Sequence, residues 1–218
     1  MSGPLGAALL VAIGYLIGAV PVGLIVGRLV AGIDLRRHGS QRIGATNALR
    51  TLGPGWAMAV FTLDLAKGLA AVLLARALYH AGPPGSPEWV AAAAGVAAVA
   101  GHNWSVFIGF TGGRGVATGA GGLAALSALA LAIVLPVAAL VISRTRYVSL
   151  GSLAAATLAV VLTATFAVVG LGSDAAVGYA LAAGALVWIA HRDNIERLRT
   201  GTERRIGERE RVATDVRS

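Results

Sequence analysis

Long apolar runs separated by short polar segments set the pattern of this chain. Residues 5–30, 56–79, 89–110, 116–142, 150–170 and 175–190 consist mainly of Ala, Leu, Val and Gly. At a helical rise of ~1.5 Å per residue, each run except 116–142 suits one crossing of a hydrocarbon core ~30 Å thick. The first run has no basic leader, and no A-x-A-like site follows it. The pattern therefore predicts a retained span rather than a secretory signal.

Charge decides how the long fourth run is threaded. The loop at 32–52 carries Arg36, Arg37, Arg42 and Arg50 against Asp34 alone, which places it on the cytoplasmic side. Alternation then puts residues 80–88 outside and the Gly112-Gly113-Arg114 loop inside. A single crossing by 116–142 would leave Arg144, Arg146 and the Arg-rich tail outside. Two short helices return them to the cytoplasm, with Arg76 the one basic residue poorly placed. Local bilayer thinning or burial within the bundle accommodates such short helices. The expected fold is an all-α integral membrane protein of seven transmembrane helices, N-terminus outside and C-terminus cytoplasmic. Residues 1–200 form a single polytopic domain. Residues 201–218, with alternating charges, form a solvated, frayed tail.

Composition narrows the function classes. With 56% hydrophobic and 13% charged residues among 218, the chain is far from a soluble domain. The absence of cysteine excludes disulfides and thiolate metal sites. A net charge of +8 would suit nucleic acid, but the arginines lie in short loops between apolar runs, so no nucleic-acid partner is expected. The 30 glycines and many alanines favour close helix packing.

The chemistry is concentrated where this background is interrupted. Residues 39–50, Gly-Ser-Gln-Arg-Ile-Gly-Ala-Thr-Asn-Ala-Leu-Arg, combine close-approach glycines, hydroxyls and two fixed positive charges. They read either as half of an anion-binding site or as an ordinary basic loop. The predicted topology brings four further clusters to the same membrane face: His102-Asn103, the glycine-rich segment at 111–118, the segment at 146–152 with Ser149 and Ser152, and His191-Arg-Asp-Asn194. Their shared chemistry is Gly, Ser, Thr, Asn and Arg with few carboxylates, which points to an anionic ligand and away from divalent-metal or glycosyl chemistry. Gly112-Gly113-Arg114-Gly115 lacks the Gly-Lys-Ser/Thr ending of a Walker loop, yet its amides before a helix start could cradle phosphate. The bland alternatives are a flexible turn there, an interfacial His102, and a helix cap at Ser149. His191 and Asn194 share one face of a continuing helix. Asp64 and Lys67, one turn apart inside an apolar run, predict a structural ion pair near mid-depth.

Together these motifs resemble the PlsY family, bacterial membrane enzymes known as acyl-phosphate:glycerol-3-phosphate acyltransferases. The resemblance covers Gly39-Ser40…Gly44-Ala45-Thr46-Asn47…Arg50, Leu63-Asp64-Leu65-Ala66-Lys67-Gly68, Gly101-His102-Asn103, residues 112–118, Arg146-Tyr147-Val148-Ser149-Leu150, and His191–Ile195 with Gly201-Thr202-Glu203. It implies a seven-helix fold in the bacterial cytoplasmic membrane. The implied reaction carries a fatty acyl group from acyl phosphate to the 1-hydroxyl of sn-glycerol 3-phosphate, without coenzyme A, acyl carrier protein, metal or other cofactor. By the same resemblance, functional positions fall on Ser40, Arg50, Arg114, His191 and Asn194. Thr46 and Asn47 line a phosphate site, and Glu203 is structural. Arg42, Gly112, Gly113 and Ser149 join the substrate-binding set. Two departures stand out: Gln41-Arg42 replaces the family's usual Gly-Asn, and Arg114 its usual Lys. Arg42 could strengthen anion binding or obstruct it, so a paralogue of altered substrate is one alternative, and a small organic-anion transporter another. For catalysis, direct attack by the glycerol hydroxyl competes with general-base catalysis by His191 and with a covalent acyl-Ser40. No pattern in the sequence encodes the oligomeric state, and a monomer is compatible with it.

Overall fold

A computed structural model describes residues 1–80, 82–83 and 86–207. Its architecture is all-helical: α1 Gly3–Ala19, α2 Val22–Ala31, α3 Ala45–Thr51, α4 Pro54–Leu78, α5 Ser86–Asn103, α6 Val116–Leu126, α7 Ala128–Thr145, α8 Val148–Val168, α9 Asp174–Ala190 and α10 Arg192–Arg199. Among the described residues, four segments are long and apolar enough to cross a membrane: Gly3–Ala31, Pro54–Leu78, Ala128–Thr145 and Val148–Val168. The bent pair α9–α10 brings a fifth. The helix α5 is less apolar, and α6 is short.

The first apolar run is interrupted rather than continuous. Pro21 has no N–H to donate and clashes with the preceding turn, so α1 stops at Ala19 and α2 starts at Val22. Other elements take the carbonyls released there: Ser105 Oγ donates to Ala19 O at 2.5 Å and Lys67 Nζ to Val20 O at 2.9 Å. The fourth run divides at Ser127 into an 11-residue α6 and an 18-residue α7, of which α7 is long enough to span a membrane. Beyond α9 the expected helical continuation is present, but it turns by 60° at His191.

Small residues bring the backbones together. A methyl group at Gly14 or Gly18 on α1 would collide with the carbonyl oxygens of Ala94 and Ala98 on α5. The same holds for Gly68 on α4 against Thr118, and for Gly121 on α6 against Leu65. The Asp64–Lys67 pair forms inside α4 at 2.9 Å, and His102 Nδ1 stands 3.4 Å from the same carboxylate oxygen. All three side chains are buried. Removing one partner of such a group would leave an uncompensated buried charge.

One expectation about the C-terminal end is corrected. The chain does not fray after Gly201: Ile206 N donates to Arg146 O at 2.9 Å, and the Arg146 guanidinium returns a bond to Ile206 O. Arg205 donates to Tyr147 Oη at 3.1 Å and sits over its ring. These contacts dock residues 201–207 on the turn between α7 and α8. The charged stretch expected at 208–218 lies outside the described residues.

Candidate active site

The loop from α2 to α3 is built around one amide. Asn47 is buried, and its Nδ2 donates to Leu35 O (2.9 Å), His38 O (3.1 Å) and Arg42 O (2.7 Å), while its Oδ1 accepts from Ser40 N at 2.9 Å. Every polar atom of this side chain is therefore committed to the loop. Asn47 nevertheless lines the same cavity, and its bonds to the loop make it the residue that positions Ser40 and Arg42. Gly39 makes this geometry possible, with φ +55° and no room for a methyl beside Asn47 Oδ1. Gln41 adopts φ +58°, a conformation that costs an L side chain about 1 kcal/mol. Upstream, Asp34 pins Arg36, whose hydrogen bond holds the carboxyl down to about pKa 2.

The second loop, 111–115, folds against the end of α5. Gly113 N donates to His102 O at 3.0 Å, and a side chain at Gly112 or Gly113 would strike the carbonyls or the imidazole of residues 102–103. His102 thus links the buried Asp64 to the glycine loop. Gly115, at φ +73°, turns the chain into α6. Arg114 projects from this loop with its Nε buried and without a hydrogen-bond partner. Desolvation, with repulsion from Arg42 and Arg197, lowers its pKa to about 10, opposed by Glu203 and Asp193. It remains cationic at neutral pH. A guanidinium under this strain is relieved by a bound anion.

The third part comes from the α9–α10 bend and the docked C-terminal segment. His191 Nδ1 lies 2.8 Å from Val187 O. A carbonyl only accepts, so Nδ1 carries the proton, and in the neutral ring Nε2 offers a lone pair. Burial, and then Arg114 and Arg42, lower the His191 pKa to about 4 despite the Val187 bond. Glu203 accepts from Asn194 Nδ2 at 2.6 Å and from Arg197 Nε at 2.8 Å. Ser149 Oγ sits close to this carboxylate without meeting hydrogen-bond geometry. These neighbours outweigh burial and hold the Glu203 carboxyl below the usual range. The carboxylate dictates that Asn194 turns its amide nitrogen toward it, which leaves Asn194 Oδ1 buried and unpartnered.

All three parts line one cavity of about 1150 Å³. Ser40, Arg42, Thr46, Arg50, Gly112, Gly113, Arg114, Ser149, His191, Asn194 and Glu203 border its polar end, and Asp64 also touches it. Lys67, facing Asp64 and Val20, does not line it. Arg42 is tied across this end to Asp193 at 3.2 Å. Below the polar end the cavity continues as an apolar arm between α6, α7, α8 and α9. Ala138, Ala155, Ala156, Ala159, Ala180 and Ala183 are among its walls. Sequence reasoning assigned such small residues to helix packing and missed this arm. The available signal was their recurrence at helical spacing on one face of both α8 and α9.

Comparison with known proteins converges on one family. The sequence profile described as glycerol-3-phosphate acyltransferase matches residues 8–201. A glycerol-3-phosphate acyltransferase of a Synechococcus species is 46% identical over 94% of this chain and 98% of that protein. The Desulforudis audaxviator protein of the same name is 45% identical, covering 92% of this chain and 96% of its own. The crystal structure of PlsY, an integral membrane glycerol 3-phosphate acyltransferase, in its glycerol 3-phosphate form superposes with a TM-score of 0.81. It is 37% identical and covers 92% of this chain and 96% of that one. The lysophosphatidic acid form gives 0.78 at 35% identity, over 92% and 95% of the two chains. The chain therefore belongs to the glycerol-3-phosphate acyltransferase family, as a membrane protein of the PlsY type.

Proposed function

We propose that this protein transfers a fatty acyl group from an acyl phosphate to the 1-hydroxyl of sn-glycerol 3-phosphate. The products are 1-acylglycerol 3-phosphate and inorganic phosphate, in the first acylation of phospholipid synthesis. One observation carries this reading: an arginine-lined polar chamber, with Arg114 Nε buried and unpartnered, opens into an apolar arm. A phosphorylated, long-chain donor has both halves of that character. The solved relatives, named for glycerol 3-phosphate and lysophosphatidic acid forms, support the acceptor and the product class.

The chemistry follows from charge and tautomer. Arg42, Arg50 and Arg114, with Thr46, hold the two phosphates and offset their mutual repulsion. The 1-hydroxyl oxygen attacks the acyl carbonyl carbon, a new C–O ester bond forms, and the bond from that carbon to the phosphate oxygen breaks. His191 Nε2 and Asn194 Oδ1 accept hydrogen bonds from the acceptor's hydroxyls and aim the attack, while the Ser40 hydroxyl donates to the developing oxyanion. An imidazole with a pKa of about 4 is too weak to store the proton at neutral pH. The departing phosphate takes it. His191 is accordingly an orienting residue, and no covalent acyl-Ser40 is needed, because the mixed anhydride is already activated.

The same reading places seven passes in the bacterial cytoplasmic membrane, with the N-terminus outside, the site at the cytoplasmic face, and a monomer sufficient for activity. Purified protein supplied separately with palmitoyl phosphate, palmitoyl coenzyme A and palmitoyl acyl carrier protein tests the donor. Lysophosphatidate formed from palmitoyl phosphate alone supports it. Product from a thioester but not from the acyl phosphate, or glycerol 3-phosphate flux in liposomes without product, would replace it.

A further inference from the structure

The lining of the apolar arm ends after a similar length of helix on three of its walls. On α9 the lining runs from His191 at the polar end down to Tyr179, twelve residues or ~18 Å of helix. On α8 it runs from Ser149 to Ala159, ten residues or ~15 Å, and on α7 from Ile142 to Leu131, eleven residues or ~16 Å. Leu123 on α6 ends the lining of the fourth wall.

Below that level the interior is filled. Leu123, Ala159 and Tyr179 belong to one packed core, with Leu126, Leu162 and Phe166 against it, and these last three do not line the cavity. Tyr179 is held rigidly: its hydroxyl donates to Gly119 O at 2.9 Å, and its ring leaves no room for a methyl at Gly95 or Gly122. At ~1.3 Å of advance per methylene, from tetrahedral C–C geometry, a depth of ~15–18 Å holds about twelve to fourteen extended carbons below the carboxyl end.

We propose that the arm is a ruler for the acyl chain, with Tyr179, Leu123 and Leu131 as its floor, limiting efficient donors to about fifteen carbons. This rests on the acyl-transfer reading above and adds to it the residues that determine chain length. The small residues of α8 act as gradations. Ala156 stands one turn above Ala159, ~4.5 Å nearer the polar end, or about three carbons.

The test is the chain-length profile of kcat/KM for the purified full-length protein in detergent, with saturated acyl phosphates of 10 to 20 carbons. The wild type should lose at least ten-fold between 16 and 20 carbons. Ala159→Leu should lower the ratio of the 16-carbon to the 10-carbon donor at least five-fold. Ala156→Leu should move the fall to chains about three carbons shorter still. Leu123→Ala deepens the arm and should raise the ratio of the 20-carbon to the 16-carbon donor, a gain that misfolding cannot imitate. Equal use of 16- and 20-carbon donors, or a profile unmoved by all three substitutions, would overturn the ruler while leaving acyl transfer intact. Absence of lysophosphatidate with every donor would instead overturn the acyl-transfer reading.

Discussion

Arg42 reaches across the polar end of the cavity to Asp193, Nη2 to Oδ2 at 3.2 Å, tying the loop before α3 to α10. Both side chains are partly exposed, so the bond itself stabilises little, ~0–1 kcal/mol. Its consequence is for charge: Asp193 partly neutralises an arginine that the proposed function assigns to the phosphates. Arg42→Asn should raise the KM for glycerol 3-phosphate about two- to five-fold. Asp193→Asn should lower it, with kcat little changed in either. Steady-state kinetics at low and moderate salt check both signs. A lower KM in Arg42→Asn would show that Arg42 obstructs the site.

Asn47 organises the loop that presents Ser40 and Arg42. In Asn47→Ala three carbonyls lose their donor, and the Ser40 amide loses its acceptor. The expected cost is ~2–4 kcal/mol of stability, with activity lost through kcat as Ser40 moves. Thermal unfolding in detergent alongside kinetics checks this. An unchanged melting temperature with a raised KM alone would instead make Asn47 a phosphate ligand.

Gln41 occupies the left-handed region at φ +58°, which L side chains adopt at a steric cost. Gln41→Gly should therefore stabilise the protein by about 1 kcal/mol, because glycine adopts this conformation without steric cost. The melting temperature in detergent should rise by a few degrees, whereas Gln41→Val should lower it.

The depressed pKa of His191 has two measurable consequences. Its ring should stay neutral to about pH 4, with Nδ1 protonated, in nitrogen NMR of labelled protein assigned by comparison with His191→Asn. The unfolded chain binds a proton near pH 6.5, and the folded state only near pH 4. This group's contribution to stability is thus fully present above pH 6.5 and is lost as the pH falls from there toward 4. For catalysis, His191→Asn, which keeps an acceptor oxygen, should retain much more turnover than His191→Ala. An equal loss in both would restore a general-base role.

Hydropathy and charge made most of the helical plan legible. The runs near 56–79, 150–170 and 175–190 lie close to the helices observed, and 116–142 breaks at Ser127 into α6 and α7, of which α7 alone is long enough to span. The break at Pro21 was hidden because the flanking residues stay apolar on both sides, and its stabilising partners, Lys67 and Ser105, are distant in sequence. The same limit applies to Asn47. A Gly-Ala-Thr-Asn string gives no sign that this amide also organises its own loop, which only the four hydrogen bonds around it reveal. Glu203 sits in a charged segment that reads as solvated tail, yet its contacts with Asn194 and Arg197 bind that segment to the site. The apolar arm escaped notice because alanines that close a helix interface and alanines that leave room for a ligand share one spacing.

The proposed function puts Arg114 against the phosphates in the anion-binding chamber, so the central claim is tested most directly by counting both products. Purified wild-type protein and Arg114→Gln should be given palmitoyl phosphate and sn-glycerol 3-phosphate, with lysophosphatidate and inorganic phosphate followed together. The expected result is one lysophosphatidate per phosphate for the wild type, and a fall of at least about a hundred-fold in kcat/KM for Arg114→Gln, the scale of losing one charge-stabilising group. Phosphate released without lysophosphatidate, or full activity in Arg114→Gln, would contradict it.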